Sequence, residues 1–266
     1  MTDPEIRMVL NILTTIWSST YILGDAVLAR LISATMVRLS LSHGNAEESA
    51  YGYVTHAITV GPVLQDYESA YQFGNLALAV NEKFNDFRLR AKIHQQVHAH
   101  VNLWRKPMSN CVAHAKEACR SGLESGDFLY AAYGASTEAW AGMLATQNLE
   151  QFVRELLPNL ALIQKLKITG FADSLKLILN WAKALAGKTA SPLSLSDEAF
   201  DEAEYIATYR GNPFFTMFHA VIKLQLGYLF GEYEQAVAAA HTARENTHHL
   251  LGTIWPVEFE FWNGLL

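Results

Sequence analysis

Two stretches of the chain are copies of one short pattern: Gln65-Asp66-Tyr67-Glu68-Ser69-Ala70 followed by Gly74 and Ala77, and Gly231-Glu232-Tyr233-Glu234-Gln235-Ala236 followed by Ala240 and Ala243. In each copy an acidic residue precedes a tyrosine, and small residues follow at helical spacing. Small side chains on one helix face let a second helix approach closely. The pattern is typical of the second helix of a tetratricopeptide-like (TPR-like) hairpin.

Hairpins that recur along a chain stack into a solenoid, in which each unit contacts only its neighbours. The rest of the sequence has helical periodicity, and we find no convincing strand alternation. The sequence therefore predicts an all-α fold, a right-handed superhelix (α-solenoid) of TPR-like antiparallel helical hairpins.

The composition predicts one domain. No segment of different composition divides the chain, so residues 1–266 are expected to form a single TPR-like helical array. Its one internal joint is expected at the loop-like residues 187–196, which contain Gly187 and Pro192. The apolar end, Phe259–Leu266, lacks the polar cap of a terminal repeat. That end predicts a piece excised from a longer chain.

Composition and charge exclude several classes of protein. Half of the residues are hydrophobic and 17% are charged, which is too apolar for a disordered chain. The net charge of -6 argues against a nucleic-acid surface, which needs clustered lysine and arginine. No signal peptide opens the chain, and Phe128–Leu149 is too polar to span a bilayer. Cys111 and Cys119 are predicted to be free thiols. We expect a cytoplasmic protein without nucleic-acid or membrane partners.

The run Ala182–Thr189 nearly matches a phosphate-binding P-loop but fails at its first glycine, which is replaced by Ala182. A helix precedes the run where a strand is required, and Pro192 follows where the phosphate-binding helix would begin. The run is better explained as a helix end with Gly187 as its cap. No cofactor is predicted.

A histidine cluster and one carboxylate are the remaining candidates for chemistry. His94 and His98 are one helical turn apart, as metal ligands can be, with His100 beside them. No carboxylate stands between them and no third ligand is indicated, so no metal is predicted. Glu138 is the single charge of an otherwise uncharged helix. If it is buried it needs a partner, and a role in function would follow; exposure to solvent is the favoured alternative.

Three stretches resemble a known family more specifically than generic repeats do: Ser49–Val54 (SAYGYV), Val63–Leu78 (VLQDYESAYQFGNLAL) and Ser121–Tyr133 (SGLESGDFLYAAY). They resemble the helical, TPR-like region of large signalling ATPases called multi-sensor multi-kinases. In that family a kinase-like domain and an AAA- or STAND-type ATPase precede the helical region, and a sensor domain and a histidine kinase often follow it. The resemblance implies a connector that binds a partner or relays a state change, without catalytic residues of its own.

The predicted function is therefore a non-catalytic protein-interaction or signal-relay module, not an enzyme, which binds a protein partner or adjacent domain in a solenoid groove. The alternative is an all-helical enzyme or small-ligand sensor that uses Glu138 and the cluster of His94, His98 and His100. If the groove is the site, aligning the two hairpin copies predicts that Thr55, Thr59, Gln225 and Tyr228 line it. A further alignment around Cys111 adds Gln96 and His100.

Overall fold

The structure is a computed structural model that describes residues 1–250 and 252–266. These residues form thirteen α-helices and no β-strand. A π-helical segment, Val97–Val101, and two 3₁₀ segments, Asn102–Trp104 and Thr247–Leu250, complete the helical structure. The α-helices are α1 (Pro4–Ile22), α2 (Ala26–His43), α3 (Ser49–Val60), α4 (Tyr67–Phe84), α5 (Phe87–Gln96), α6 (Met108–Ser125), α7 (Phe128–Ala145), α8 (Leu149–Lys165), α9 (Thr169–Leu185), α10 (Glu202–Tyr209), α11 (Pro213–Leu229), α12 (Tyr233–Asn246) and α13 (Trp255–Asn263).

Most helices begin at side-chain caps that the sequence predicts. Asp3 accepts a hydrogen bond from the Glu5 amide at 2.9 Å, and Asp66 accepts one from the Ser69 amide at 3.0 Å. Such caps satisfy amide groups that have no partner within the helix. None of the helices in the described residues is both long and apolar enough to cross a bilayer.

Two expectations from local sequence differ from the structure. Residue type predicts Ser196 and Asp197 as caps of the tenth helix, but that helix begins after Asp201, whose carboxylate accepts hydrogen bonds from two amides of its first turn. Pro158 is expected to kink or break the eighth helix, but α8 continues through it without a break from Leu149 to Lys165. Pro158 lies on the exposed side of that helix, where a missing backbone hydrogen bond costs least.

The chain divides into two compact units, Met1–Glu138 and Ala139–Leu266, with the division inside α7. In the first unit α1 packs on α2, α2 on α3, α3 on α4, and α5 on α6. Trp17 is buried there, and its indole N–H donates to the Ala29 carbonyl at 3.0 Å. The first hairpin copy lies where the pattern predicts, because a Cβ placed on Gly61 would be 3.2 Å from the Cβ of Ala70.

The second unit, Ala139–Leu266, contains the packed pairs α8–α9, α11–α12 and α11–α13. The second hairpin copy forms the α11–α12 contact. A Cβ added to Gly227 would lie 2.9 Å from the Cβ of Ala236 and 3.0 Å from its amide nitrogen. The small residues of both copies therefore mark close helix contacts, as predicted. The structure confirms the all-α class, and the superhelix stays a prediction.

Residues 187–196, the predicted joint, lie within this second unit and are held by side chains of α10 and α11. Glu202 Oε2 accepts a hydrogen bond from the Leu195 amide at 3.1 Å, and Lys223 donates to the Leu193 carbonyl. The other Glu202 oxygen, Oε1, lies 2.7 Å from His219 and 3.0 Å from Lys223. The loop is thus tied to α10 and α11 by a largely buried carboxylate and its two basic neighbours.

Candidate functional site

The six predicted groove residues differ in burial. Thr55 is fully buried, and its hydroxyl donates to the Tyr51 carbonyl at 2.8 Å. Gln96, at the end of α5, and His100, in the π-helical segment, are also buried. A partner cannot touch these three side chains in this conformation.

The other three predicted groove residues, Thr59 in the first unit and Gln225 and Tyr228 in the second, are partly exposed. The carbonyl oxygen of Gln225 accepts a hydrogen bond from Trp181 at 2.8 Å, and the Tyr228 ring packs on Trp262. Both therefore contribute to the packing of the second unit. The groove itself stays a prediction.

One histidine of the cluster, His94, forms a partly buried pair with His114. His94 on α5 and His114 on α6 bring their Nδ1 atoms within 3.0 Å. Burial, with the neighbouring His114, lowers the pKa of His94 to about 4 and that of His98 to about 3. Both rings are thus neutral near pH 7. Within residues 1–250 and 252–266, no three potential ligands are arranged to hold a metal ion.

Glu138 is not an isolated buried charge. Its carboxylate forms an ion pair with Lys116 of α6 at 3.6 Å, and the side chain of that lysine is largely exposed. A partly solvated pair of this kind stabilises weakly and needs no catalytic explanation. The side chain of Glu138 itself is 19% exposed.

Helix α1 carries large apolar side chains on two opposite sides. Leu10 and Trp17 face the core and are buried. On the other side Met8 is 64% exposed and Leu23, just after the helix, is 83% exposed. Val9, Ile12 and Ile16 lie between them and are also exposed. A helix that is apolar all round is normally covered on both sides.

Helix α2 repeats this arrangement beside α1. Its exposed apolar residues include Val27 (75% exposed), Leu31 and Leu41, whereas Ile32 and Met36 are buried. We call the combined set the α1–α2 apolar surface; it consists of Met8, Val9, Ile12, Ile16, Leu23, Val27, Leu31 and Leu41. The sequence signal for it was present in the spacing of Met8, Ile12 and Ile16, which places them on one helix face.

Comparisons with known proteins do not supply a family for this chain. No protein-family model matches it, and no curated protein matches it. The resemblance to the helical region of signalling ATPases stays an expectation. Function has to be argued from the packing, the charges and the exposed surfaces.

Proposed function

We propose that the protein is a non-catalytic interaction module that binds a helix of a protein partner, or of an adjacent domain, on its α1–α2 apolar surface. The observation that carries the proposal is the double apolar character of α1. Its buried side anchors the helix to the first unit. Its exposed side presents a row of aliphatic side chains to solvent.

The chemistry of the α1 part of the surface specifies an apolar occupant. Residues 8–24 contain no charged side chain. Arg7, at the edge of this run, forms an ion pair with Glu47 at 2.8 Å. Nothing on the face of α1 would favour nucleic acid or a strongly charged peptide, since those partners need charge complementarity. An aliphatic partner would gain from covering it.

The dimensions of the surface fit a helix. From Met8 to Leu23 the row is about 22 Å long at 1.5 Å per residue, which is the length of a helix of about 15 residues. Two packed helices offer a groove that receives side chains spaced three and four residues apart on a third helix. Complete burial of one aliphatic side chain contributes about 1.5–3 kcal/mol, so a few anchors are enough for specific binding.

The alternative based on Glu138 and the histidines is not carried forward. Glu138 is paired with Lys116, and His94 is paired with His114 inside the first unit. These contacts account for both features as parts of the fold. Thr55, Gln96 and His100 of the predicted groove are buried, so they are not proposed as contact residues. The residues of the α1–α2 apolar surface are proposed instead.

A photo-crosslinking experiment tests the location of binding. A photoreactive amino acid is placed at Ile12 or Leu31, and at exposed Arg154 in the second unit as the control. In cells that make the protein naturally, we expect one protein to crosslink from both α1–α2 positions and not from residue 154. A crosslink to a second copy of this chain would show that the surface forms a homodimer and does not bind a different protein. Equal crosslinking from all three positions, or none from Ile12 and Leu31, would refute the assignment.

A further inference from the structure

A polar cleft of about 330 Å³ lies in the first unit, apart from the α1–α2 apolar surface. Its walls are contributed by α1, the residue preceding α3, α5, and the start of α7. The charged side chains that line it are Glu48, Arg88, Lys92 and Asp127. A cleft of this size can enclose a small molecule, and a few convergent polar groups would fix its orientation.

Glu48 is the unusual group of this cleft. The residue is only 5% exposed. One carboxylate oxygen, Oε1, lies 3.5 Å from the side-chain nitrogen Nδ2 of Asn11 and 3.8 Å from a guanidinium nitrogen of Arg88. The other oxygen, Oε2, is buried and has no hydrogen-bond donor among the described residues. A buried carboxylate oxygen without a donor is costly, so it needs an explanation.

Arg88 does not neutralise Glu48 completely, because it is committed elsewhere. Its Nε and Nη2 donate to the two carboxylate oxygens of Asp86 at 3.1 Å and 3.0 Å. The hydrogen bonds to Asp86, together with its charge, raise the pKa of Arg88, as expected for a two-point pair. Arg88 is therefore shared between two carboxylates, and its contact with Glu48, at 3.8 Å, is the longer of the two.

Lys92, one turn further along α5, also has a carboxylate partner. Its ammonium lies 3.6 Å from Asp127 and 5.2 Å from the centroid of the Tyr130 ring. The four charges that line the cleft balance, with the carboxylates of Glu48 and Asp127 against the cations of Arg88 and Lys92. Asp86 lies outside the lining but pairs with Arg88 and so adds one negative charge, and both cations already have carboxylate partners.

Hydroxyl groups line the part of the cleft next to Lys92. Ser18 exchanges hydrogen bonds with the phenol oxygens of Tyr51 at 2.8 Å and Tyr130 at 3.3 Å. Hydroxyl groups can donate or accept, so this end suits a second polar atom of a ligand. The cleft thus combines the carboxylate of Glu48, which lacks one hydrogen-bond donor, with hydroxyl groups that can either donate or accept.

We propose that the cleft binds a small organic molecule with a primary ammonium group, and that this group pairs with the carboxylate of Glu48. A primary ammonium supplies the missing donor and the missing positive charge together. An anion would add to the unbalanced negative charge and would compete with Asp86 and Asp127 for cations that are already paired. The chemistry that defines the ligand is the ammonium group.

Isothermal titration calorimetry and thermal shift of the full chain test this proposal with ethanolamine and 1,4-diaminobutane as probes. Tetramethylammonium is the matched probe without N–H donors, and inorganic phosphate is the anionic probe. We expect saturable binding of a primary amine at concentrations up to about 10 mM, and no binding of tetramethylammonium or phosphate. No saturable amine binding, equal binding of tetramethylammonium, or preferential binding of phosphate would overturn the proposal.

Three variants assign the binding to the cleft. Glu48→Gln should weaken amine binding by about tenfold or more, because it replaces the charged acceptor. Glu47→Gln is its neighbour and control, since Glu47 pairs with Arg7 and does not line the cleft. Thr15→Phe fills the cleft from an exposed position of α1 and should abolish binding even if Glu48→Gln fails to fold. Amine affinity unchanged by both Thr15→Phe and Glu48→Gln would place the binding elsewhere and refute the proposal.

Discussion

Gly134 of α7 should be intolerant of even one added methyl group, because α6 lies directly against it. A Cβ at this position would be 2.4 Å from the Cys119 amide nitrogen and 2.7 Å from the Ala115 carbonyl oxygen. Ordinary contact begins at 3.4 Å, so the gap to Cys119 must open by 3.4 minus 2.4, or about 1.0 Å. These are backbone atoms, and no side-chain rotation can relieve the overlap.

Two effects oppose each other in Gly134→Ala. Replacing a glycine inside a helix by alanine normally stabilises by about 0.5–1 kcal/mol. Overfilling a close-packed contact costs about 1–3 kcal/mol, and a backbone overlap lies at the upper end of that range. We therefore expect a net loss of about 2 kcal/mol in the free energy of unfolding.

Urea unfolding followed by far-UV circular dichroism measures this loss. Gly142→Ala in the same helix is the matched control. Its Cβ would meet only ring carbons of Phe152, at 3.0 and 3.1 Å, and a ring can shift. We expect the control to remain within about 0.5 kcal/mol of the natural protein. If Gly134→Ala is as stable as Gly142→Ala, the close approach of α6 and α7 is wrong.

Three further predictions concern stability. Ala70→Leu should cost about 1–3 kcal/mol in thermal melting, because it overfills the contact with Gly61; no loss would contradict the hairpin register. Burial lowers the pKa of His98 to about 3 in the folded protein. Below about pH 6.5 the unfolded chain therefore binds a proton at His98 that the folded chain does not bind, so the free energy of unfolding should fall as the pH drops from about 6.5 toward 3. The melting temperature should depend less on pH in His98→Gln than in the exposed control His241→Gln. An equal pH dependence of the melting temperature in the two variants would contradict the assignment to His98. Burial would raise the pKa of Glu202, but hydrogen bonds and charge from His219 and Lys223 lower this pKa to about 2. The ionised Glu202 therefore stabilises the folded protein above about pH 4.5, and this contribution is lost as the pH falls toward 2. Glu202→Gln should speed hydrogen exchange at the Leu195 amide at neutral pH, and unchanged exchange would show that the loop is held otherwise.

The hairpin contacts could be predicted because the information is local. Ala70 and Ala236 are small residues at helical spacing after a turn, and in the structure each meets a glycine on the preceding helix or just after its end. Helix starts at Asp3 and Asp66 were predictable for the same reason. A capping side chain accepts hydrogen bonds from backbone amides within three residues of itself, so it can be recognised from the adjacent sequence.

Features that depend on distant contacts could not be predicted in this way. Ser196, Asp197 and Asp201 are all good caps by type, and the contact of Glu202 with Leu195 helps to place the helix start after Asp201. The pairing of His94 with His114 joins two helices, which residue spacing alone does not bring together.

The groove prediction depended on the relative rotation of successive hairpins. Small errors in that rotation turn a residue from the surface into the core. Thr55 and Gln96 show this, because both are polar residues at predicted surface positions and both are buried. The α1–α2 apolar surface was missed for a different reason. Its residues are typical of a core, and only the structure shows which side of α1 remains exposed.

The most direct test of the proposed function is the affinity of the crosslinked partner for variants of the α1–α2 apolar surface. Calorimetry would compare the natural protein with Ile12→Asp plus Leu31→Asp, and with Arg154→Asp as a surface control, after circular dichroism has shown that all three fold. Each buried aspartate removes an aliphatic anchor and introduces an unpaired charge, so the double variant should bind at least about 100-fold more weakly. The control should bind as the natural protein does. Equal affinity of all three proteins for the partner would contradict the proposal that α1 and α2 form the docking surface.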